Sequence, residues 1–280
     1  MDPANSSAAT VEGENKVVAK ASVSSTRKTG FVALIDVLGF RSLITGTAGT
    51  GWVTEYLSIV EFNLGLSDVE AVIFSDSIVL TKDGSDAESL HAICWACALL
   101  TYFLLENNTP VRGAIAHGDY YRSPFGKSTF VAGRPIVEAY DYETKQDWVG
   151  VMLAPSALRA PHQIDCSTVG YEWFDPHEAY KDEQKHIKWK ALIQRNPSIP
   201  VHSKIHGRDA LDGYAIVPCI ATTVGDIPIG LRKVIGWLDA LKLNAPTPED
   251  QRKYSGALEW LNGLLRQWDA RAGNFANYMP

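Results

Sequence analysis

The chain has 280 residues, 46% of them apolar, and a formal net charge of −6. That composition is ordinary for a globular protein whose core is large enough to need no disulfide staples. The acidic balance, with no run of Lys and Arg, excludes the usual nucleic-acid binder, because duplex binding rests on cations laid against phosphates. The opening residues carry no basic segment followed by an apolar one, so no secretory signal is read. The longest apolar run, Ala92 to Leu105, is too short to span a bilayer. The expectation is a cytoplasmic protein with no membrane or nucleic-acid partner. Cys94, Cys97, Cys166 and Cys219 sit mostly among apolar residues and read as buried thiols of a reducing compartment.

Residues 1–28, rich in Ser, Ala, Thr and Lys, predict a flexible tail. Phe31–Asp36 (FVALID) is a continuous apolar run ending in a carboxylate, the pattern of a strand buried on both faces. The chain leaves it through Gly39, and Trp52–Leu64 has apolar residues at helical spacing. Val69–Phe74 and Ile78–Thr81, separated by Ser75-Asp76-Ser77, predict a hairpin. Ser85 and Glu88 form a capping-box pattern ahead of a long apolar helix through about Asn107. Val111–His117 predicts a strand ended by Gly118, Phe130–Val131 a short strand, and 133–142 a helix. Trp148–Leu153 predicts a strand followed by a helix from Pro155. Beyond Cys166 the pattern gives a strand at Asp212–Cys219 and two amphipathic helices at 226–244 and 248–270. The sum is an α+β fold, a β-α-β-β-α-β-α-β sheet with packed helices and a C-terminal helical extension.

Two carboxylates carry the chemistry. Asp36 closes a buried strand and Asp76 sits in the hairpin turn, and neither has a basic neighbour in sequence. Asp is common in turns, and either residue alone reads as a turn cap. Together they converge if the hairpin lies beside the first strand. Converging carboxylates raise each other's pKa unless a cation lies between them. Oxygen ligands without His or Cys select Mg²⁺ or Mn²⁺.

FVALIDVLGF, then VIFSDSIVL, VRGAIAHG and GRPIVEAYDYE, resemble the ordered motifs of class III nucleotidyl cyclases over roughly residues 30–155. The resemblance implies a ferredoxin-like βαββαβ core within a catalytic domain at 29–225, followed by an extension at 226–280. It implies that Asp36, Asp76 and the backbone carbonyl of Val37 bind two Mg²⁺ or Mn²⁺ ions, and that Leu38-Gly39-Phe40-Arg41 wraps a triphosphate at a helix start. The reaction implied is attack of the ribose 3′-oxygen on the α-phosphorus with loss of pyrophosphate.

The family's adenine readers fall at Val72 and Phe130, both apolar here, and the guanine-type Glu and Cys are absent. The transition-state Asn and Arg fall at Val137 and Asp141. Arg134, three residues before Val137, shares that helix face and is the candidate for the missing charge. Loss of the purine readers resembles the pyrimidine cyclases of bacterial Pycsar antiphage systems. That implies a homodimer with sites at its interface, UTP favoured over CTP as substrate, and a cyclic-nucleotide-sensing effector downstream. The rivals are a purine cyclase with unusual base contacts and a catalytically silent nucleotide-binding module. Other signals reduce to structure: Cys94-x-x-Cys97 lies mid-helix, Gly126-Lys127-Ser128 lacks the first glycine of a phosphate loop, and His117 reads as a structural histidine. Arg112, Arg122 and Lys127 read as solvated charges or phosphate contacts, unranked.

Overall fold

The computed structural model describes residues 26–46, 49–125, 128–159, 193–200, 210–218 and 227–275. The tail to residue 25, Gly126, Lys127, Cys166 and Cys219 lie outside the described residues.

The elements run β1 (Thr26–Val37), α1 (Phe40–Thr45), α2 (Gly49–Gly65), β2 (Glu70–Phe74), β3 (Ser77–Asp83), α3 (Ala87–Glu106), β4 (Val111–Phe125), β5 (Ser128–Gly133), α4 (Arg134–Lys145), β6 (Gly150–Leu153), α5 (Pro155–Leu158), β7 (Ile193–Pro200), β8 (Ala210–Ile216), α6 (Ile227–Asn244) and α7 (Pro248–Phe275). One mixed sheet has the order β2-β3-β1-β4-β6-β8-β7, with β5 on the far half of β4. β1 is central and antiparallel to both β3 and β4, whereas β4 and β6 are parallel. The first seven segments, β1 through β4 with α1 and α2 as one helical connection, thus give the expected α+β core, a βαββαβ unit with helices packed on its sheet.

The period of two in β1 explains the layering. Phe31, Ala33, Ile35 and Val37 point into a core with Trp52, Tyr56 and Val60 of α2 and Leu90, Ile93 and Cys97 of α3. Leu34 points the other way, into a core with Ala114, Ala116 and Ala139 of α4. Asp36 is in phase with Leu34. α3 is buried along most of its length. Its 20 residues make it long and apolar enough to cross a membrane, but 72% of its most apolar stretch is inside the molecule, so the apolarity serves the core. Cys94 and Cys97 lie there as free thiols, fully buried, and burial pushes both pKa values up. α6 and α7 pack on each other, on α3 and on β7, with Trp237 edge-on to Tyr102 and Trp260 to Trp148.

Several boundaries depart from the sequence expectations. β1 starts at Thr26, inside the predicted tail. β4 does not end at Gly118; the glycine continues the strand at φ +154°, a backbone setting that side chains resist. Trp148 and Val149 precede β6 rather than open it. The helix cap is Asp86, not Ser85: its carboxylate accepts from the Ser89 N–H at 2.7 Å, while the Ser85 hydroxyl meets His117 Nε2 at 2.8 Å. Replacing Asp86 by Ala is expected to cost about 1 kcal/mol in a denaturant melt, with Asn retaining most of the stability.

Candidate active site

β1, the β2–β3 turn and β4 build the site at one end of the sheet. The register pairs Asp36 with Ser77 on one side and with Arg112 on the other. The turn is two residues long, and Ser75 takes φ 57°, a left-handed setting uncommon for a residue with a side chain. It is pinned where it meets β1: the Val37 N–H donates to the Asp76 carbonyl at 2.9 Å. The hairpin therefore lies beside β1, and Asp36 and Asp76 come together.

Asp36 is half-buried. Burial first, then the charges of Glu143 and Asp76, push its carboxyl up to about 6, against the pull of Arg112 and a long 3.5 Å contact from the Ser77 hydroxyl. Sequence reading missed Glu143 and Arg112 as part of this arrangement. Glu143, on the last turn of α4, is almost fully buried. Arg112 donates one hydrogen bond to it from Nε at 2.6 Å, with Nη2 in ion-pair contact with the same oxygen at 2.5 Å, and Nη1 donates to the Gln146 carbonyl at 2.8 Å. Arg112 is thus neither a solvated charge nor free for a phosphate. Burial raises the Glu143 pKa, opposed by the guanidinium. Arg122 is likewise occupied, by Glu70 and by Thr81 Oγ1 at 2.9 Å.

After Val37 the chain turns sharply. The Leu38 N–H donates to the Pro110 carbonyl at 2.9 Å, and Gly39 adopts φ +74°, which its missing Cβ permits. α1 then starts at Phe40 with no side chain capping its first turn, and Arg41 is exposed. Phe40 lies edge-on to Trp52 and Tyr56 of α2, which seats the turn on the core.

The remaining sequence-derived candidates are dispersed within one chain. Val72 shares the sheet face of Asp36, because it pairs with Val79 and Val79 with Leu34. Phe130 pairs with Ser123, which is out of phase with Arg112, so the register puts Phe130 on the opposite face, 54% exposed. Arg134 is exposed at the first position of α4. Nine residues separate it from Glu143, about 14 Å along a helix axis, so Arg134 and Asp36 lie toward opposite ends of α4. Val137, Tyr140 and Asp141 are exposed beside it.

Among the described residues no three His, Cys, Asp or Glu side chains gather as a ligand cluster. An ion at Asp36 and Asp76 would rest on two carboxylates, backbone carbonyls and oxygens brought by a ligand. That donor set fits Mg²⁺ or Mn²⁺, which take one or two carboxylates and complete their shell with phosphates and water.

No family model matches the chain, and no curated protein matches it. Among solved structures it is similar to the adenylyl cyclase CyaB from P. aeruginosa, at 14% identity over 69% of this chain and 95% of that one, with a TM-score of 0.45. It is similar to the guanylate cyclase domain of RhGC from Catenaria anguillulae in complex with GTP, at 10% identity over 69% and 98%, TM-score 0.44. A third likeness is to a class III adenylyl cyclase-like ATP-binding protein from Pseudomonas aeruginosa, at 14% identity over 84% and 44%, TM-score 0.41. At these identities and TM-scores the likenesses say nothing about substrate.

Proposed function

We propose that the chain is a nucleotide cyclase of class III, closing a ribonucleoside triphosphate to its 3′,5′-cyclic monophosphate. The observation that carries the reading is the convergence of Asp36 and Asp76 beside the Leu38–Arg41 turn, with burial and the charges of Glu143 and Asp76 raising Asp36 to about 6. In the reaction the bond from the ribose 3′-oxygen to the α-phosphorus forms, the bond from the α-phosphorus to the bridging oxygen breaks, and the 3′-hydroxyl proton and pyrophosphate leave. Divalent ions held by Asp36, Asp76 and the Val37 carbonyl would lower the pKa of the 3′-hydroxyl and neutralise phosphate charge. The chain's own part is positional: the strand end and hairpin fix the two carboxylates, and Leu38, Gly39, Phe40 and Arg41 offer a backbone turn to the phosphates.

The substrate in this reading is UTP in preference to CTP, because Val72 and Phe130 supply no polar reader for a purine. The protein works as a homodimer in the cytoplasm and makes a second messenger for antiviral defence, read by a separate effector. In this reading the sites lie at the homodimer interface, and Arg134, distant from Asp36 within one chain, would supply its charge from the second copy. The catalytic domain spans 29–225, and 226–280 is an appended helical unit. The exposed Val137 and Asp141 on α4 favour one alternative, a silent module that binds nucleotide without turning it over.

Incubation of the full chain with Mn²⁺ and each of ATP, GTP, CTP and UTP, with products read by mass spectrometry, separates these readings. The expected result is a cyclic monophosphate from a pyrimidine triphosphate, lost by about a hundredfold or more in Asp76→Ala and strongly reduced in Arg134→Ala. Nucleotide binding indifferent to Mn²⁺ and to Asp76→Ala, without product, would establish the silent module instead.

A further inference from the structure

Tyr56 stands on α2 with its side chain buried, only 3% exposed. Its ring stacks on Trp52, 5.3 Å between centroids and 13° between planes, and lies edge-on to Phe40 at 6.2 Å. Phe40 belongs to the turn by which the chain leaves Asp36, so the tyrosine packs directly beneath that turn. Aromatic packing accounts for the ring. It does not account for the hydroxyl.

Tyr56 Oη is buried and has no hydrogen-bond partner among the described residues. An unpaired hydroxyl in that position is a cost that a phenylalanine, filling the same space, would not carry. The surroundings are able to satisfy a polar atom: the stacked neighbour Trp52 donates its Nε1 to Thr109 Oγ1 at 3.0 Å. Burial and the charges of Asp76 and Asp36 together hold the phenol at about 12, so it is a neutral donor across the physiological range. Both carboxylates are near enough to act on the phenol, yet neither accepts its hydrogen bond. The hydroxyl is thus a buried donor with no acceptor among the described residues, on a ring packed against Phe40 of the turn that follows Asp36.

We infer that Tyr56 is a further binding residue of this site, its hydroxyl donating to an anionic oxygen of the polyphosphate held at the Leu38–Arg41 turn. The inference rests on the nucleotide-binding reading above and adds to it a residue from beneath the turn. Tyr56 in this role acts on the phosphates and leaves base choice and ion binding alone.

The test is Tyr56→Phe in the full chain, measured by calorimetric titration with Mn²⁺ alone and with Mn²⁺ plus inorganic tripolyphosphate, and by melting without ligand. Because the hydroxyl is unpaired, the ligand-free variant is expected to melt at or above the wild-type temperature. Its Mn²⁺ affinity should stay within about twofold, while tripolyphosphate binds about tenfold more weakly, the loss of one hydrogen bond to a charged group. Unchanged tripolyphosphate affinity would overturn the inference, as would a weakening already present with Mn²⁺ alone, or a ligand-free variant that melts well below wild type. A wild-type chain that binds neither Mn²⁺ nor tripolyphosphate would instead overturn the nucleotide reading itself, and the role of Tyr56 with it.

Discussion

Asp36→Asn is expected to melt at a higher temperature than the wild type in metal-free buffer at pH 7.5, while Mn²⁺-dependent turnover falls by about a hundredfold or more. The two effects have one origin. The Asp36 carboxylate is partly desolvated and faces the charges of Glu143 and Asp76, which is why its pKa stands at about 6 against an ordinary 3.8. A group whose folded pKa is raised contributes its stability below the unfolded value and loses it as pH climbs through the folded value. Wild-type protein without metal should therefore melt higher at pH 5 than at pH 7.5. The isosteric amide carries no charge to bury, so the variant should lose most of that slope. A residue of it should remain, because Glu143 is shifted in the same direction. Saturating Mn²⁺ should reverse the trend in the wild type, since binding needs the ionised carboxylate and releases a proton below about pH 6. An Asn variant less stable than wild type at pH 7.5 would mean that Asp36 makes a favourable structural contact, and the metal assignment would lose its electrostatic basis.

What the sequence disclosed, and what it hid, follows from the range of the forces involved. FVALID read as a buried strand because five apolar residues in a row fit little else, and the hairpin read correctly because its signals lie within a dozen residues. Asp36 and Asp76 were legible because a polar residue closing an apolar run is a local anomaly. Arg112 and Glu143 were not, because their meaning depends on register. Arg112 faces Asp36 only through strand pairing across 76 residues of sequence, and Glu143 meets Arg112 from α4. Gly118 misled because a glycine that ends a strand and one that continues it in an unusual conformation look alike in sequence. β7 escaped notice because its segment, IQRNPSIP, holds two prolines. It survives as an edge strand with a register shift between Asn196 and Ile199, around Pro197, which is where a sheet accepts proline. Tyr56 fell within the predicted helix, yet nothing in helical spacing distinguishes a core tyrosine from one whose hydroxyl lacks a partner.

The buried ion pair offers the second large effect. Arg112→Met keeps an unbranched apolar stem, shorter than arginine, but leaves Glu143, its side chain 5% exposed, without a counter-charge and the Gln146 carbonyl without that donor. Removing one member of a buried pair typically costs about 3–5 kcal/mol, most of it the penalty of the stranded charge. The double variant Arg112→Met with Glu143→Leu removes both charges and should recover a large part of that loss in a urea melt at pH 7.5, a coupling that a thermodynamic cycle measures directly. Lower pH should help the single variant specifically, because a stranded Glu143 can protonate. The pair also bears on the carboxylates in front of it. With Arg112 gone, Asp36 loses the guanidinium that pulls its pKa down while Glu143 still raises it, so Mn²⁺ binding in the single variant should need a higher pH than in the wild type. The double variant removes the repelling and the attracting charge together, so its Mn²⁺ binding should recover toward the wild-type pH dependence. If the double variant were as unstable as the single one, the cost would belong to lost packing at Arg112, and the electrostatic link between α4 and the end of β1 would fail.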